Sequence, residues 1–161
     1  MHPPAPKGYC IDTSSLVEAW LRRYPVENFP ALWVRIEDLI KSGRLVASEW
    51  VKFELETNDD DLLKWCKNQQ SFFIASNKQI QTQAAAIINQ FTRLTTGSGA
   101  ANTADPFVVA AAKYTGYVVV TEEKPAEKQQ KVRKMPDICR ALNVPCMNIL
   151  GLIKDERWVF G

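Results

Sequence analysis

The chain of 161 residues contains a single histidine, His2, close to its N-terminus. Without a histidine in the body of the chain, it cannot form a Ser-His-Asp triad, a Cys-His nucleophile pair or a histidine-rich zinc site. Those enzyme classes are therefore excluded. Any catalysis has to use carboxylates, hydroxyls, lysines or a metal ion held by carboxylates.

The sequence also lacks a long apolar run, and none approaches the roughly 18 residues that a membrane span needs. Residues 1–8 contain three prolines and no apolar segment of the secretory kind, so we expect a flexible leader. Residues 9–161 have the length and, with the chain at 46% apolar residues, the composition of one globular domain. No membrane association is expected.

Cysteines are few and are not arranged in motifs. The four of them form no Cys-x-x-Cys pair, and each lies in an apolar setting. Such cysteines are usually buried free thiols, which persist in a reducing compartment. We therefore expect a cytoplasmic protein in which all four thiols are free and buried.

Short apolar runs alternate with segments of helical periodicity. The run at 117–121 is rich in β-branched residues and shows no polar alternation, which is typical of a strand buried on both faces of a parallel sheet. Helices are predicted at 12–22, 31–42, 48–56, 79–94, 107–114 and 136–142, with a short one after Asn58. Strands are predicted at 9–11, 45–47 and 72–74, a last strand or turn at 145–147, and a loop at 95–103. The pattern predicts an α/β three-layer sandwich with a central, mostly parallel β-sheet.

Several acidic residues occupy positions where a strand gives way to a helix or where a charge is unexpected. Asp12 and Asp105 each begin a predicted helix, so each could simply cap it. Glu54 falls on the apolar face of its helix, where a carboxylate needs an ion pair or a metal ion. Glu122 and Glu123 follow the valine-rich strand, where they could also be ordinary loop residues.

These acids share a predicted location, because ligands bind beyond the carboxyl ends of the strands in a parallel sheet. Carboxylates that converge there repel one another unless a cation neutralises them. Oxygen ligands without histidine or cysteine suit Mg²⁺ or Mn²⁺. Since metal ions held by carboxylates are a standard means of hydrolysing phosphodiesters, the pattern predicts a hydrolase of that kind.

A basic segment follows the acidic residues and favours a polyanionic substrate. It could contact phosphates without reading bases, or it could be a solvated face. Its five positive residues, against the single acid Glu127, are Lys124, Lys128, Lys131, Arg133 and Lys134.

The motifs resemble those of the PIN-domain nucleases over residues 9–150. They are Ile11-Asp12-Thr13-Ser14 after the first strand, Ser48 followed by Glu54-Leu55, Ala104-Asp105-Pro106 before an alanine-rich helix, and Val120-Thr121-Glu122-Glu123. The segment Met135-Pro-Asp-Ile-Cys-Arg140 is similar to one PIN-like family of prokaryotes.

The resemblance implies a compact α/β fold and an Mg²⁺- or Mn²⁺-dependent endoribonuclease, commonly the toxin of a VapC-type toxin–antitoxin pair. Asp12, Glu54 and Asp105 would then bind the metal, while Ser14 and Thr121 would hydrogen-bond around the site. The implied partners are RNA, an antitoxin protein and a second copy of the chain. The residues that could serve either a dimer interface or the core are Trp20, Trp33 and Leu39.

The fourth acid departs from the pattern of the PIN family, which usually has aspartate two residues after the threonine. That place is Glu123 here, and we favour it over Glu122 as the fourth catalytic and metal-binding residue. The rival interpretation is a catalytically silent PIN-like module that binds RNA or a protein. An aspartyl-phosphate enzyme is disfavoured, because Ser14 stands where that class has a second aspartate.

Overall fold

Five short strands form one sheet in the structure, a computed structural model that describes residues 7–57, 60–91, 104–127 and 134–161. In chain order the strands are β1 (Tyr9–Ile11), β2 (Leu45–Ser48), β3 (Phe73–Ile74), β4 (Val118–Val120) and β5 (Cys146–Met147). Their order across the sheet is β3-β2-β1-β4-β5. Every neighbouring pair is parallel, so the carboxyl ends of the strands lie at the same edge.

Helices connect these strands, as parallel pairing requires. Within the described ranges they are α1 (Thr13–Glu18), α2 (Pro30–Lys41), α3 (Glu49–Leu55), α4 (Asp60–Asn68), α5 (Lys78–Gln90), α6 (Asp105–Thr115), α7 (Met135–Ala141) and α8 (Ile149–Asp155). A π-helical turn, Ala19–Arg23, continues α1. The predicted α/β fold with a central parallel sheet is confirmed.

The clearest sequence patterns give the expected elements. The three valines of β4 are buried, and β4 pairs with both β1 and β5. The helix predicted at 31–42 is α2, and its apolar stripe, Leu32, Trp33, Ile36, Leu39 and Ile40, is buried. Gly116 ends α6 with a φ of +74°, a left-handed conformation that favours glycine.

The three residues left open between core and interface, two tryptophans and a leucine, belong to the core or pack against it. Trp33 and Leu39 are buried, and the half-buried ring of Trp20 meets that of Trp33 edge-on at a centroid distance of 5.0 Å. The expectation for the cysteines is wrong at one position, because Cys146 is exposed. Its strand, β5, lies at the end of the sheet and pairs only with β4 among the described residues.

Some predictions fall outside the described ranges. They concern residues 1–6 of the leader, Asn58, the last residues of the helix predicted to end at 94, and the loop at 95–103. Within the ranges that are described, no helix combines the length and the apolar character needed to cross a bilayer.

At the amino edge of the sheet, Tyr9 connects β1 to the end of α8. Its hydroxyl oxygen lies 2.5 Å from a carboxylate oxygen of Asp155 and 2.7 Å from one of Glu156. Arg44 pairs with Glu156 and also donates to the carbonyl of Lys7. Burial and the two carboxylates together raise the pKa of Tyr9, so the phenol stays protonated and donates. This network lies at the end of the sheet opposite the acidic residues.

Candidate active site

Asp12 lies directly after β1 and caps α1, with only 2% of its surface exposed. Its carboxylate accepts from the backbone N–H of Ser15 at 2.9 Å and from the Thr121 hydroxyl at 2.6 Å. The Ser14 hydroxyl lies 2.9 Å from both of its oxygens. Burial, together with the charge of Glu123, raises the pKa of Asp12 to about 6, although these hydrogen bonds favour the ionised form.

Asp105 is the first residue of α6, not its N-cap, so the predicted capping role is wrong. The N-cap is Ala104, and among the described residues no donor hydrogen-bonds the Asp105 carboxylate. The residue is 8% exposed. Burial raises its pKa to about 9, and the charges of Glu123, Asp12 and Glu54 contribute in that order, while Lys134 opposes them. At neutral pH the metal-free site therefore holds Asp105 as a carboxylic acid.

Glu54 lies in the last turn of α3 and is half-buried, so its charge is partly withdrawn from water as its position on the helix predicted. One carboxylate oxygen accepts from the Thr13 hydroxyl at 2.5 Å, and the other accepts from the backbone N–H of Ala104 at 3.0 Å. These bonds join α3 to the starts of α1 and α6. Thr13 was missed in the sequence because it donates to a residue 41 positions away.

The two glutamates after β4 have different roles. Glu123 accepts from the backbone N–H of Met135 at 3.0 Å, and its charge raises the pKa of both Asp12 and Asp105. Glu122 instead accepts from the backbone N–H of Ile149 at 3.0 Å, at the start of α8. Of these two glutamates, Glu123 is the one whose charge acts on both aspartates.

Two hydroxyls connect the segments of the acidic cluster. The Ser14 and Thr121 oxygens are 3.3 Å apart, and both contact Asp12. The backbone N–H of Glu122 donates to Ser14 at 3.2 Å, and that of Glu123 donates to Thr121 at 3.1 Å. The end of β4 is thereby fixed against the start of α1. These are the residues expected to hydrogen-bond around the site.

A cavity of about 630 Å³ opens beside the acids, at the carboxyl ends of β4 and β5. Thr121 and Glu123 line it together with three cationic side chains, Arg23, Lys124 and Arg140. Of the predicted RNA-binding residues, Lys124 lines this cavity, and the positive charge of Lys134 lowers the pKa of Asp105. Three more, Lys128, Lys131 and Arg133, lie outside the described residues.

Cys146 also lines the cavity, and interaction with the thiol of Cys139 lowers its pKa. Neither this thiol pair nor Arg140 was identified from the sequence, because each position depends on how α7 packs against β5.

The acids suit a divalent cation in kind and in charge, although they are not already arranged around one. In the described part of the chain, no three His, Cys, Asp or Glu side chains stand in a geometry that could hold a metal ion. Glu54 and Glu123 each direct an oxygen at a backbone N–H instead. All four acids nevertheless offer oxygen ligands, which Mg²⁺ and Mn²⁺ prefer, and Asp105 has no bond to give up within the described residues.

Fold and site together define an α/β protein with an acidic cluster at the carboxyl edge of a parallel sheet. Residues 9–160 match the family model described as a domain of unknown function, DUF4411, and the chain belongs to that family. The match includes every strand and all the acids of the cluster. No curated protein matches the sequence.

Proposed function

We propose that the protein is a metal-dependent hydrolase of RNA phosphodiester bonds, with Asp12, Glu54, Asp105 and Glu123 as its metal-binding and catalytic acids. The observation that carries the proposal is the state of the two aspartates. Both are nearly fully buried and both have raised pKa values, to which the negative charge of Glu123 contributes in each case. Perturbed carboxylates gathered at a cleft are typical of catalytic sites.

The electrostatics of the cluster favour a bound cation. Two buried aspartates and two further glutamates cannot all be ionised in a metal-free site at low cost, and a proton on Asp105 relieves the repulsion. A divalent ion would replace that proton and allow all four carboxylates to be charged. When bound, Mg²⁺ or Mn²⁺ supplies Lewis acidity at a phosphoryl oxygen and lowers the pKa of water.

The chain's own residues would orient the reactants. Ser14 and Thr121 hold the Asp12 carboxylate in one position through hydrogen bonds of 2.6–2.9 Å. Glu54 and Glu123 would complete the ligand set by turning away from the backbone N–H groups to which they are now bonded. Lys134 already counters negative charge at Asp105, and it would do the same for a substrate phosphate.

RNA as the substrate, and a role as the toxin of a toxin–antitoxin pair in the cytoplasm, come from the PIN-domain resemblance. The same resemblance supports an antitoxin partner and a homodimer. Because Trp33 and Leu39 are buried in the core, a dimer would have to use other residues.

The proposal is tested by incubating the purified protein with single-stranded RNA in Mn²⁺, in Mg²⁺ and in EDTA. We expect cleavage with either metal, none in EDTA, and a loss of at least about 100-fold in Asp12→Asn. The matched control is Asp38→Asn, which neutralises an exposed aspartate on α2 and should cleave like the wild type. If the wild type leaves RNA intact with both metals, or if Asp12→Asn cleaves at the wild-type rate, the proposal is wrong.

The second candidate is a silent PIN-like module that binds RNA or a protein. It is favoured by the absence of a ready metal geometry among the described residues and by glutamate, rather than aspartate, at position 123. Calorimetric titration with Mn²⁺ separates the two candidates. A hydrolase binds the ion and loses it in Asp105→Asn, whereas a silent module shows no specific uptake.

A further inference from the structure

The cavity beside the acids continues directly from the proposed catalytic centre. Thr121, which holds Asp12, and Glu123, which acts on both aspartates, form part of its wall. Other parts of its wall come from α7 and from β5. Anything bound over the acids can therefore extend into the cavity without leaving the surface.

The three cationic side chains of the cavity differ in whether they already form ion pairs. Arg23 is already paired with Glu18 at 3.3 Å and lies 3.8 Å from Glu122. Arg140 and Lys124 are exposed and form no ion pair with any described residue. Two unpaired cations beside a cluster of carboxylates are available to a negatively charged group from outside. A phosphate is such a group, and arginine binds it through two parallel hydrogen bonds.

One part of the wall is apolar, and the remainder includes the polar side chains of Glu122 and Asn148. Pro136, Val144 and Met147 line the cavity together with the cations. A volume of about 630 Å³ falls within the range of small-molecule sites. Apolar walls suit the face of a ribose or a base, while the cations suit its phosphate.

We propose that this cavity is a subsite that holds one nucleotide of the RNA next to the phosphodiester over the acids. Arg140 and Lys124 bind its phosphate, and the apolar wall contacts its sugar and base. The inference rests on the proposed function for its choice of RNA. A nucleic acid strand fits better than an acidic peptide, because successive phosphates would meet both the cations of the cavity and a cation bound by the acids.

The first test measures binding in EDTA, so that neither the metal nor cleavage enters the result. A fluorescein-labelled single-stranded RNA of ten nucleotides is titrated and followed by anisotropy at several salt concentrations. We expect Arg140→Ala to bind about 10-fold more weakly and the salt dependence to fall by about one phosphate contact. Lys124→Ala should act in the same direction. Arg140→Lys should have an RNA affinity between those of the wild type and Arg140→Ala, because it keeps the charge and loses the paired hydrogen bonds.

The matched control is Arg35→Ala, which removes an exposed arginine from α2 and should leave RNA binding unchanged. If Arg140→Ala and Arg35→Ala have the same effect, only net charge matters and the subsite is refuted. If the Arg140→Ala effect is present while wild-type protein never cleaves RNA, the subsite stands and the hydrolase proposal fails. The two failures are therefore distinguishable.

The second test uses Cys146 as a reporter inside the cavity. It is exposed, whereas the other three cysteines are buried, so N-ethylmaleimide should modify it first. Mass spectrometry then follows the rate of modification with and without the same RNA. We expect the RNA to slow modification at least about 3-fold in the wild type and not in Arg140→Ala. Protection by an oligoglutamate peptide but not by RNA would make the cavity a protein-binding site and overturn the inference.

Discussion

Replacing Asp105 with asparagine tests the electrostatics of the acidic cluster in the metal-free protein. Asparagine has the same shape and cannot ionise, so it mimics the protonated acid that the site favours. The folded pKa of about 9 lies well above the value of about 4 in an unfolded chain. The folded protein therefore binds the Asp105 proton more tightly than the unfolded chain does. Stability contributed by this group is complete below about pH 4 and is lost as the pH rises towards 9.

The size of the effect follows from linkage. Each pH unit above the unfolded pKa costs about 1.4 kcal/mol until the folded pKa is reached, which gives an upper limit of about 4 kcal/mol at pH 7. Two terms reduce this limit. First, Asp105 keeps some contact with water, which lowers the cost of its charge. Second, the ionised carboxylate interacts favourably with the start of α6 by about 0.3–1 kcal/mol, and asparagine lacks that interaction. We expect Asp105→Asn to stabilise the metal-free protein by about 1–3 kcal/mol at pH 7.

The assay is thermal unfolding in EDTA at pH 7 and pH 4.5, with Asp38→Asn as the control. A gain of about 1–3 kcal/mol corresponds to roughly 3–10 °C for a chain of this length. The gain should shrink towards zero at pH 4.5, and Asp38→Asn should show neither effect. Added Mn²⁺ should then stabilise the wild type and not Asp105→Asn. A variant less stable than the wild type at pH 7, or a gain independent of pH, would refute the reasoning.

The remaining predictions concern single contacts. Tyr9→Phe should lose about 1–3 kcal/mol in urea unfolding, because its hydroxyl binds two carboxylates, and an unchanged midpoint would contradict this role. Ser15→Ala should change stability by less than about 1 kcal/mol, since the Ser15 hydroxyl is buried without a partner among the described residues. Thr121→Val should cut RNA cleavage about 10- to 100-fold, because Asp12 loses the hydrogen bond that positions its carboxylate. Thr121→Ser keeps the hydroxyl and should retain most activity. An equal loss in both variants would exclude this hydrogen bond as the cause.

The elements predicted best from the sequence are those whose own residues determine them. The stripe of α2 is buried as the spacing predicted, and Ser48, at the start of the helix predicted for 48–56, caps α3 through its hydroxyl. Gly116 likewise ends α6 by its own backbone conformation. Each of these features depends on neighbours within about one or two helical turns. The pattern of polar and apolar residues therefore contains enough information to place them.

The site was predicted less completely, because its geometry depends on distant contacts. The acids after β1 and β4 could be placed, since parallel strands bring their carboxyl ends to one edge. The capping alternative for Asp105 came from the Asp-Pro pair at a helix start and is wrong, because the packing of α6 leaves the carboxylate buried among other acids. The cavity was not foreseen at all, since Arg140 and Cys146 reach it only through the pairing of β5 with β4.

Glu123 connects the acidic cluster to the cavity, and its extra methylene has a structural explanation. Its carboxylate reaches the backbone N–H of Met135, the first residue of α7, while its charge still acts on Asp12 and Asp105. Because α7 carries Arg140, the side chain of Glu123 also fixes the helix that supplies a guanidinium of the cavity. A glutamate that turned towards a cation would release the Met135 N–H. If the acids bind a metal ion as proposed, that binding and the position of Arg140 would be coupled through one side chain.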